Sequence, residues 1–217
     1  MICKLCESYG VEEFCKDKNR TYYRCSDCEL IFVPEIYYLD IANEKARYDL
    51  HNNSIYNEGY VKYLTEVIEV GKAIIRRNES ILDFGAGKEA VLTTIFKKHG
   101  YNCTAYDPLY NHSDQVENRS FGLLIACEVV EHIRCIQKEI IFMNKLLKPI
   151  SKVLIRTQLY PSPDKFLKWW YIQDLTHINL FTTKTIIKLA DLLGCTLDNT
   201  IGTDIFILSK TKTATRD

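Results

Sequence analysis

Residues Leu82 to Ala90 read LDFGAGKEA, an apolar run that breaks into two glycines one residue apart. As Gly85-x-Gly87-x-x-Ala90 the stretch has the spacing of a dinucleotide-binding turn. Small residues there let backbone N–H groups approach a ligand at the start of a helix. Asp83 stands two residues before the first glycine and Glu89 falls in the first helical turn. A dinucleotide pyrophosphate would be repelled by both, and Lys88 offsets them only in part. A carboxylate at a strand end suits an ammonium group instead. The next strand ends at Asp107, where an acid accepts hydrogen bonds from ribose hydroxyls. Turn and acid suit NAD and S-adenosylmethionine (SAM) alike, since both carry adenosine; the local charges favour the zwitterionic sulfonium.

Outward from this stretch the chain alternates. SILDFG reads as a buried strand, AVLTTIFKKHG as a helix closed by Gly100, and NCTAYD as a second strand. FGLLIACE is a third strand, QKEIIFMNKLLKP a helix stopped by Pro149, and KVLIRTQ another strand. TKTIIKLADLLG is a helix capped by Gly194, and DIFILSK a closing strand; the terminal KTKTATRD is expected to fray. Strands separated by such helices predict β-α-β crossovers and a mostly parallel sheet covered on both faces. Upstream, apolar residues at Leu64, Val67, Ile68, Ile74 and Ile75 recur at helical spacing. Residues 36–58 are polar and tyrosine-rich, and read as a linker or lid with one short helix.

Cysteines divide the chain. Cys3-x-x-Cys6 and Cys25-x-x-Cys28 have the spacing of a four-thiolate zinc site, with TYYRC and ELIFV as arms of a hairpin carrying the second knuckle. A segment of residues 1–35 cannot bury enough apolar area to fold unless a cross-link or metal helps. Four sulfurs close the coordination sphere, so this zinc is structural. Cys15 is a spare. The 28 basic and 28 acidic residues balance, which gives no overall pull toward nucleic acid or an anionic membrane. No apolar run spans a bilayer and MICKLCESYG is no secretory signal, so the expectation is a cytoplasmic protein.

ILDFGAGKE, AYDPLY, IACEVVEHI and LLKP, in this order, resemble the motifs of SAM-dependent methyltransferases of the Rossmann-like seven-strand type. With RYDLHNN, GYVKYL and the tryptophan pair before DLTHINLF, nearly the whole chain is similar to a bacterial branch of that family bearing an N-terminal zinc ribbon. The resemblance implies an α/β fold: a Rossmann-like, doubly wound, mostly parallel sheet with an antiparallel last strand, plus the small ribbon. The expected layout is ribbon 1–35, linker or lid 36–58 and SAM-binding domain 59–212. The chain departs from the family pattern at Glu89, which replaces the third glycine often seen in this motif, and at Lys88, where a proline or glycine is usual; KPISK lacks the glycines that often follow LLKP.

Gly85, Ala86 and Gly87 form the expected cofactor turn, Asp83 meets the methionine ammonium, Asp107 the ribose, and Pro108 with Leu109 lines the adenine pocket. Cys127 and Glu128 sit where this fold contacts adenine or methionine, and Tyr48, His51 and Asn52 form a lid, both by resemblance. Methyl transfer needs a positioned nucleophile and a base for its proton. FLKWWYIQDLTHINLF follows a strand whose carboxyl end opens into a cleft, offering Tyr160, Trp169, Trp170, Asp174 and His177. Asp174 and His177, spaced i, i+3, could share a helical turn as orienting acid and base, or His177 could bond to backbone. His132 is a second base candidate or a scaffold residue, and the tryptophans are an aromatic wall or core. The expected acceptor is a small or medium-sized molecule. The rival readings are an RNA methyltransferase gripping RNA with the ribbon, a non-catalytic SAM-fold binding protein, and a nicotinamide oxidoreductase.

Overall fold

The computed structural model describes residues 1–110 and 114–210; most of the terminal KTKTATRD lies outside them. In chain order the strands are β1 (Val11–Lys16), β2 (Thr21–Cys25), β3 (Ile31–Phe32), β4 (Ser80–Phe84), β5 (Asn102–Tyr106), β6 (Phe121–Cys127), β7 (Leu147–Arg156), β8 (Asn179–Leu180), β9 (Cys195–Ile201) and β10 (Ile205–Lys210). The helices are α1 (Ile41–Asp49), α2 (Glu58–Ile74), α3 (Val91–Lys98), α4 (Asp114–Glu117), α5 (Ile136–Leu146), α6 (Pro163–Phe166) and α7 (Thr183–Leu192). Short 3-10 turns cover Val130–His132 and Trp170–Gln173.

The six-stranded sheet runs β5-β4-β6-β7-β10-β9. β5, β4, β6 and β7 run parallel to one another, and β10 lies antiparallel between β7 and β9. Successive residues of the central strands face opposite layers, so both faces are buried. Leu82, Leu124, Ala126, Val153 and Phe206 meet α5 and α7 through Ile140, Met143, Ile186 and Leu189. Ile81, Leu123, Ile125 and Leu154 meet α2 and α3 through Leu64, Val67, Leu92 and Phe96. The antiparallel last strand is thus present. β9, absent from the sequence reading, is an edge strand of sequence CTLDNTI with mostly exposed side chains, so it carries no apolar alternation.

One helix boundary moves. The helix expected to run to Pro149 ends at Leu146, and Pro149 lies inside β7. The β6–β7 pairing shifts register between Phe121 and Leu123, so β7 bulges where Pro149 has no N–H to give. Ile150 sits there at φ 61, the left-handed position that a glycine would fill at lower cost.

The cysteine-bearing segment builds a second, four-stranded sheet of order β1-β2-β3-β8. Its last strand comes from the far half of the chain: Ile31 pairs with Leu180 and Phe32 with Asn179. The two knuckles repeat one backbone shape. Glu7 N–H donates to the Cys3 carbonyl and Glu29 N–H to the Cys25 carbonyl, each at 3.0 Å, with both glutamates at positive φ. Leu5, Leu30 and Phe32 are fully buried and belong to the core layer containing α5 and α7. Burial of such side chains contributes roughly 1.5–3 kcal/mol each.

Candidate functional site

A cavity of about 1220 Å³ opens at the carboxyl ends of β4, β5 and β6. The fold dictates its place, because loops leaving the strand ends diverge there. Gly85 and Gly87 line it at φ 76 and φ 68, a backbone region that costs glycine least. A Cβ on Gly85 would come within 2.5 Å of the Val129 side chain, whereas one on Gly87 would meet only open space. Gly85 and Ala86 both donate N–H bonds to the Tyr106 carbonyl, at 2.8 and 3.0 Å, which pins the loop to the end of β5. Asp107 lines the same wall and accepts from the N–H groups of Gly87 at 2.9 Å and Leu109 at 2.8 Å.

Asp83 stands apart from these. It is buried and off the cavity wall, and its Oδ2 accepts from the Thr93 N–H at 3.0 Å and the Thr93 hydroxyl at 2.8 Å. Burial pushes its carboxyl up to about 6. Asp83 thus holds the first turn of α3 behind the glycine loop, off the wall where the sequence places it against an ammonium, directly or through water.

Pro108, Leu109, Cys127, Glu128, Tyr48, His51 and Asn52 all line the cavity, as do Lys88 and Glu89. Burial pushes the Cys127 thiol well above its ordinary range. Glu128, at φ 54, accepts from the hydroxyls of Tyr63 at 2.8 Å and Tyr171 at 3.3 Å; burial raises its carboxyl. Tyr60 and Tyr63 lie one turn apart on α2 and both face the cavity. Their signal in the sequence was the i, i+3 spacing within GYVKYL.

The wall opposite the glycine loop differs from expectation. Asp174 and His177 do not pair through their side chains. The Asp174 carboxylate accepts from Arg47 at 3.1 Å and from the Thr176 N–H and hydroxyl at 3.0 and 2.7 Å, with His51 3.7 Å away. Burial alone would raise its carboxyl, but the nearby His51 ring and the bonds from Thr176 and Arg47 hold it far below the usual range. His177 instead turns Nδ1 to the Tyr171 carbonyl at 2.7 Å, and His132 turns Nδ1 to the Thr176 carbonyl at 3.0 Å. Their rings lie 4.7 Å apart between centroids, so the two rival bases are neighbours. Burial pushes His132 down to about 3 and His177 down to about 4, so both imidazoles are neutral at pH 7. Tyr160 lies off this cavity. It packs edge-on against Phe14 of β1, which removes it from the acceptor wall. Trp170 is 63% exposed at the rim, whereas Trp169 stacks on Tyr171 at 4.9 Å in the core layer beneath.

Arg20 is the residue that sequence reasoning missed most completely. Its side chain is 1% exposed, and every N–H of the guanidinium has an acceptor. Nε donates to the Tyr22 hydroxyl, and the two terminal nitrogens donate to the carbonyls of Ile172, Asp174, Leu175 and His177, at 2.7–3.2 Å. A residue of the cysteine module thus shapes the loop that carries His177.

The thiols of Cys3, Cys6, Cys25 and Cys28 lie within 4.8 Å of one another, with Cys3–Cys28 and Cys6–Cys25 at 3.5 Å. Zinc–sulfur bonds of about 2.3 Å place tetrahedral sulfurs about 3.8 Å apart, so the cluster fits that ion. Cys15 lies outside it.

A family model described as a methyltransferase domain matches residues 56–200. The chain belongs to that family. No curated protein matches it. Among solved structures, the chain is similar to Burkholderia thailandensis 1,6-didemethyltoxoflavin-N1-methyltransferase, crystallised with 1,6-didemethyltoxoflavin and S-adenosylhomocysteine. Identity is 14%, the TM-score 0.56, and 93% of this chain and 100% of that one are covered. An O-methyltransferase family protein from the same organism is 12% identical at a TM-score of 0.55, over 79% of this chain. This chain spans only 63% of that protein's length. These likenesses concern the fold. Among the described residues no helix is long and apolar enough to cross a membrane.

Proposed function

We propose that this chain is a SAM-dependent methyltransferase acting on a small or medium-sized acceptor, with a structural zinc ion in its cysteine cluster. The observation that carries this reading is the placement of Gly87 and Asp107 on one cavity wall. An open left-handed glycine faces a carboxylate at the next strand end, in a member of the methyltransferase-domain family. The cavity, about 1220 Å³, exceeds what one drug-sized ligand occupies and leaves room for cofactor and acceptor together.

SAM, when bound, supplies an electrophilic methyl group on its sulfonium. The chain's residues bind and orient around it. Asp107 receives the ribose hydroxyls, Pro108 and Leu109 flank the adenine, and the glycine loop, stiffened from behind by Asp83, admits the amino-acid end. Glu128 holds its place through Tyr63 and Tyr171. On the opposite wall the neutral Nε2 atoms of His132 and His177 are available to take a proton from the acceptor. Ile41 and Trp170, both largely exposed at the rim, favour an acceptor with an apolar or planar body.

Calorimetry with S-adenosylhomocysteine and NAD tests the assignment. Tight binding of the first and loss of that binding in Asp107→Ala are expected. Unchanged affinity in the variant, or preference for NAD, would overturn it. Native mass spectrometry of the same samples is expected to show one zinc ion retained in the variant.

A further inference from the structure

Glu131, His132 and His177 form a second cluster of metal-ligating groups, separate from the cysteines. One ligand atom from each lies within 4.8 Å of the others. Glu131 and His132 end the 3-10 turn that follows β6, and His177 ends the loop that Arg20 holds by its carbonyls. We propose that these side chains bind a divalent first-row transition ion and present it to the cavity.

Orientation comes first. A carbonyl oxygen only accepts, so the bonds to the carbonyls of Tyr171 and Thr176 fix the Nδ1–H form of each neutral imidazole. That leaves a lone pair on each Nε2. Histidine ligands of metals characteristically have the other ring nitrogen donating to a carbonyl or carboxylate in this way. Neither Nε2 has a hydrogen-bond partner among the described residues.

Charge comes second. Glu131 is fully buried, and its oxygens accept from the Tyr171 hydroxyl at 2.6 Å and the Thr157 hydroxyl at 3.1 Å. No Lys or Arg pairs with it among the described residues. Arg156, the cation that acts on the second carboxylate, Glu128, is engaged by Asp204 at 2.8 Å. Arg47 is likewise taken by Asp174. A buried carboxylate without a cationic partner is expensive. A divalent ion would supply the missing positive charge.

Geometry sets the class. Glu131 Oε1 and His132 Nε2 are 4.0 Å apart. Bonds of about 2.0–2.1 Å in a tetrahedral site bring ligands to about 3.4 Å, so each side chain moves in by a few tenths of an ångström. Two imidazoles and one carboxylate suit manganese, iron, cobalt or zinc; magnesium and calcium prefer an all-oxygen shell. Three protein ligands leave the rest of the coordination sphere open, and both histidines line the cavity. An acceptor oxygen or nitrogen could bind there, its proton made more acidic by the ion and lost to solvent. With their Nε2 lone pairs on the ion, the two imidazoles then hold the ion in place of acting as bases themselves.

The test uses the full chain with its cysteine cluster loaded with zinc. Manganese(II) is titrated by electron paramagnetic resonance and water-proton relaxation, with native mass spectrometry counting ions. One manganese equivalent beyond the zinc is expected, with enhanced relaxation from water on the open positions. Glu131→Gln, close in shape to the original, and His177→Ala are each expected to weaken manganese more than tenfold, with zinc retained and a cooperative thermal transition. Absence of the second equivalent in the wild type, or its survival in both variants, would overturn the site. Unenhanced relaxation would overturn its openness to the cavity.

Discussion

The cysteine module and α1 both reach the cavity from outside the main sheet, and they are held by opposite means. The module is built in. Arg20 is buried with all its donors engaged, β3 pairs with β8, and Leu5, Leu30 and Phe32 are part of the core. α1 has no buried residue and rests on polar latches. Arg47 meets Asp174, Lys88 and the Tyr110 hydroxyl meet Asp49, and Arg134 meets Glu44. Exposed ion pairs typically contribute 0–1 kcal/mol, whereas a buried charged network is costly to break. The difference is one of anchoring: the module is tied to residues 172–180 through buried groups, and α1 is tied to its neighbours through polar contacts at the surface. Lys88 adds one such contact, 3.7 Å from Asp49.

The largest effect that would sharpen this contrast is loss of a cysteine. Cys25→Ser is expected to lose zinc by mass spectrometry and unfold the module. Through β8 and Arg20 the damage should spread to residues 172–180, read as lost amide protection in hydrogen exchange. Normal metal content would break the four-thiolate assignment. Next, Arg20→Met fills the space but leaves four carbonyls without their donor, and is expected to cost about 3 kcal/mol or more in urea unfolding. A cost under about 1 kcal/mol would put the module on the same footing as α1.

A third effect lies behind the glycine loop. The Asp83 carboxyl is raised in the folded chain to about 6. Stability from this group is therefore full below its unfolded value, near 4, and is lost as pH rises through 6. Its share is about 2–3 kcal/mol at about 1.4 kcal/mol per unit. Asp83→Asn is expected to flatten that part of the stability profile in urea melts between pH 4 and 7. The smallest effect belongs to α1. Arg47→Ala should shift global stability by less than about 1 kcal/mol, while exchange and proteolysis across 41–52 speed up. A loss as large as that in Arg20→Met would erase the contrast.

Much of the frame was legible because its physics is periodic. β4 to β7 show apolar runs broken by helical spacing, and the cysteine pairs announce their own geometry. What stayed hidden depends on long-range contacts. β8 is two residues long, and β1 and β9 are polar edge strands, so none carries a pattern. Arg20 looks like any surface arginine until its loop of carbonyls is in place. Glu131 and His132 sit in EVVEHI beside Glu128, and nothing in their spacing tells which side chain turns inward. Of the two readings of Asp174 and His177, the shared helical turn fails for a related reason, and the backbone bond of His177 is the one present. The segment leaves its 3-10 turn at Asp174, so a helical face never forms.

The pairing of β3 with β8 also governs the order in which the protein can be finished. Arg20 finds the His177 carbonyl across 157 residues of chain. At a synthesis rate of roughly 5–20 residues per second, that partner reaches the tunnel exit on the order of ten seconds after the arginine does. Through that interval the nascent knuckles present a bare strand edge and an unmatched guanidinium to solvent or to chaperones, so early capture of the proposed zinc ion would protect the emerging chain before there is any catalyst for it to serve.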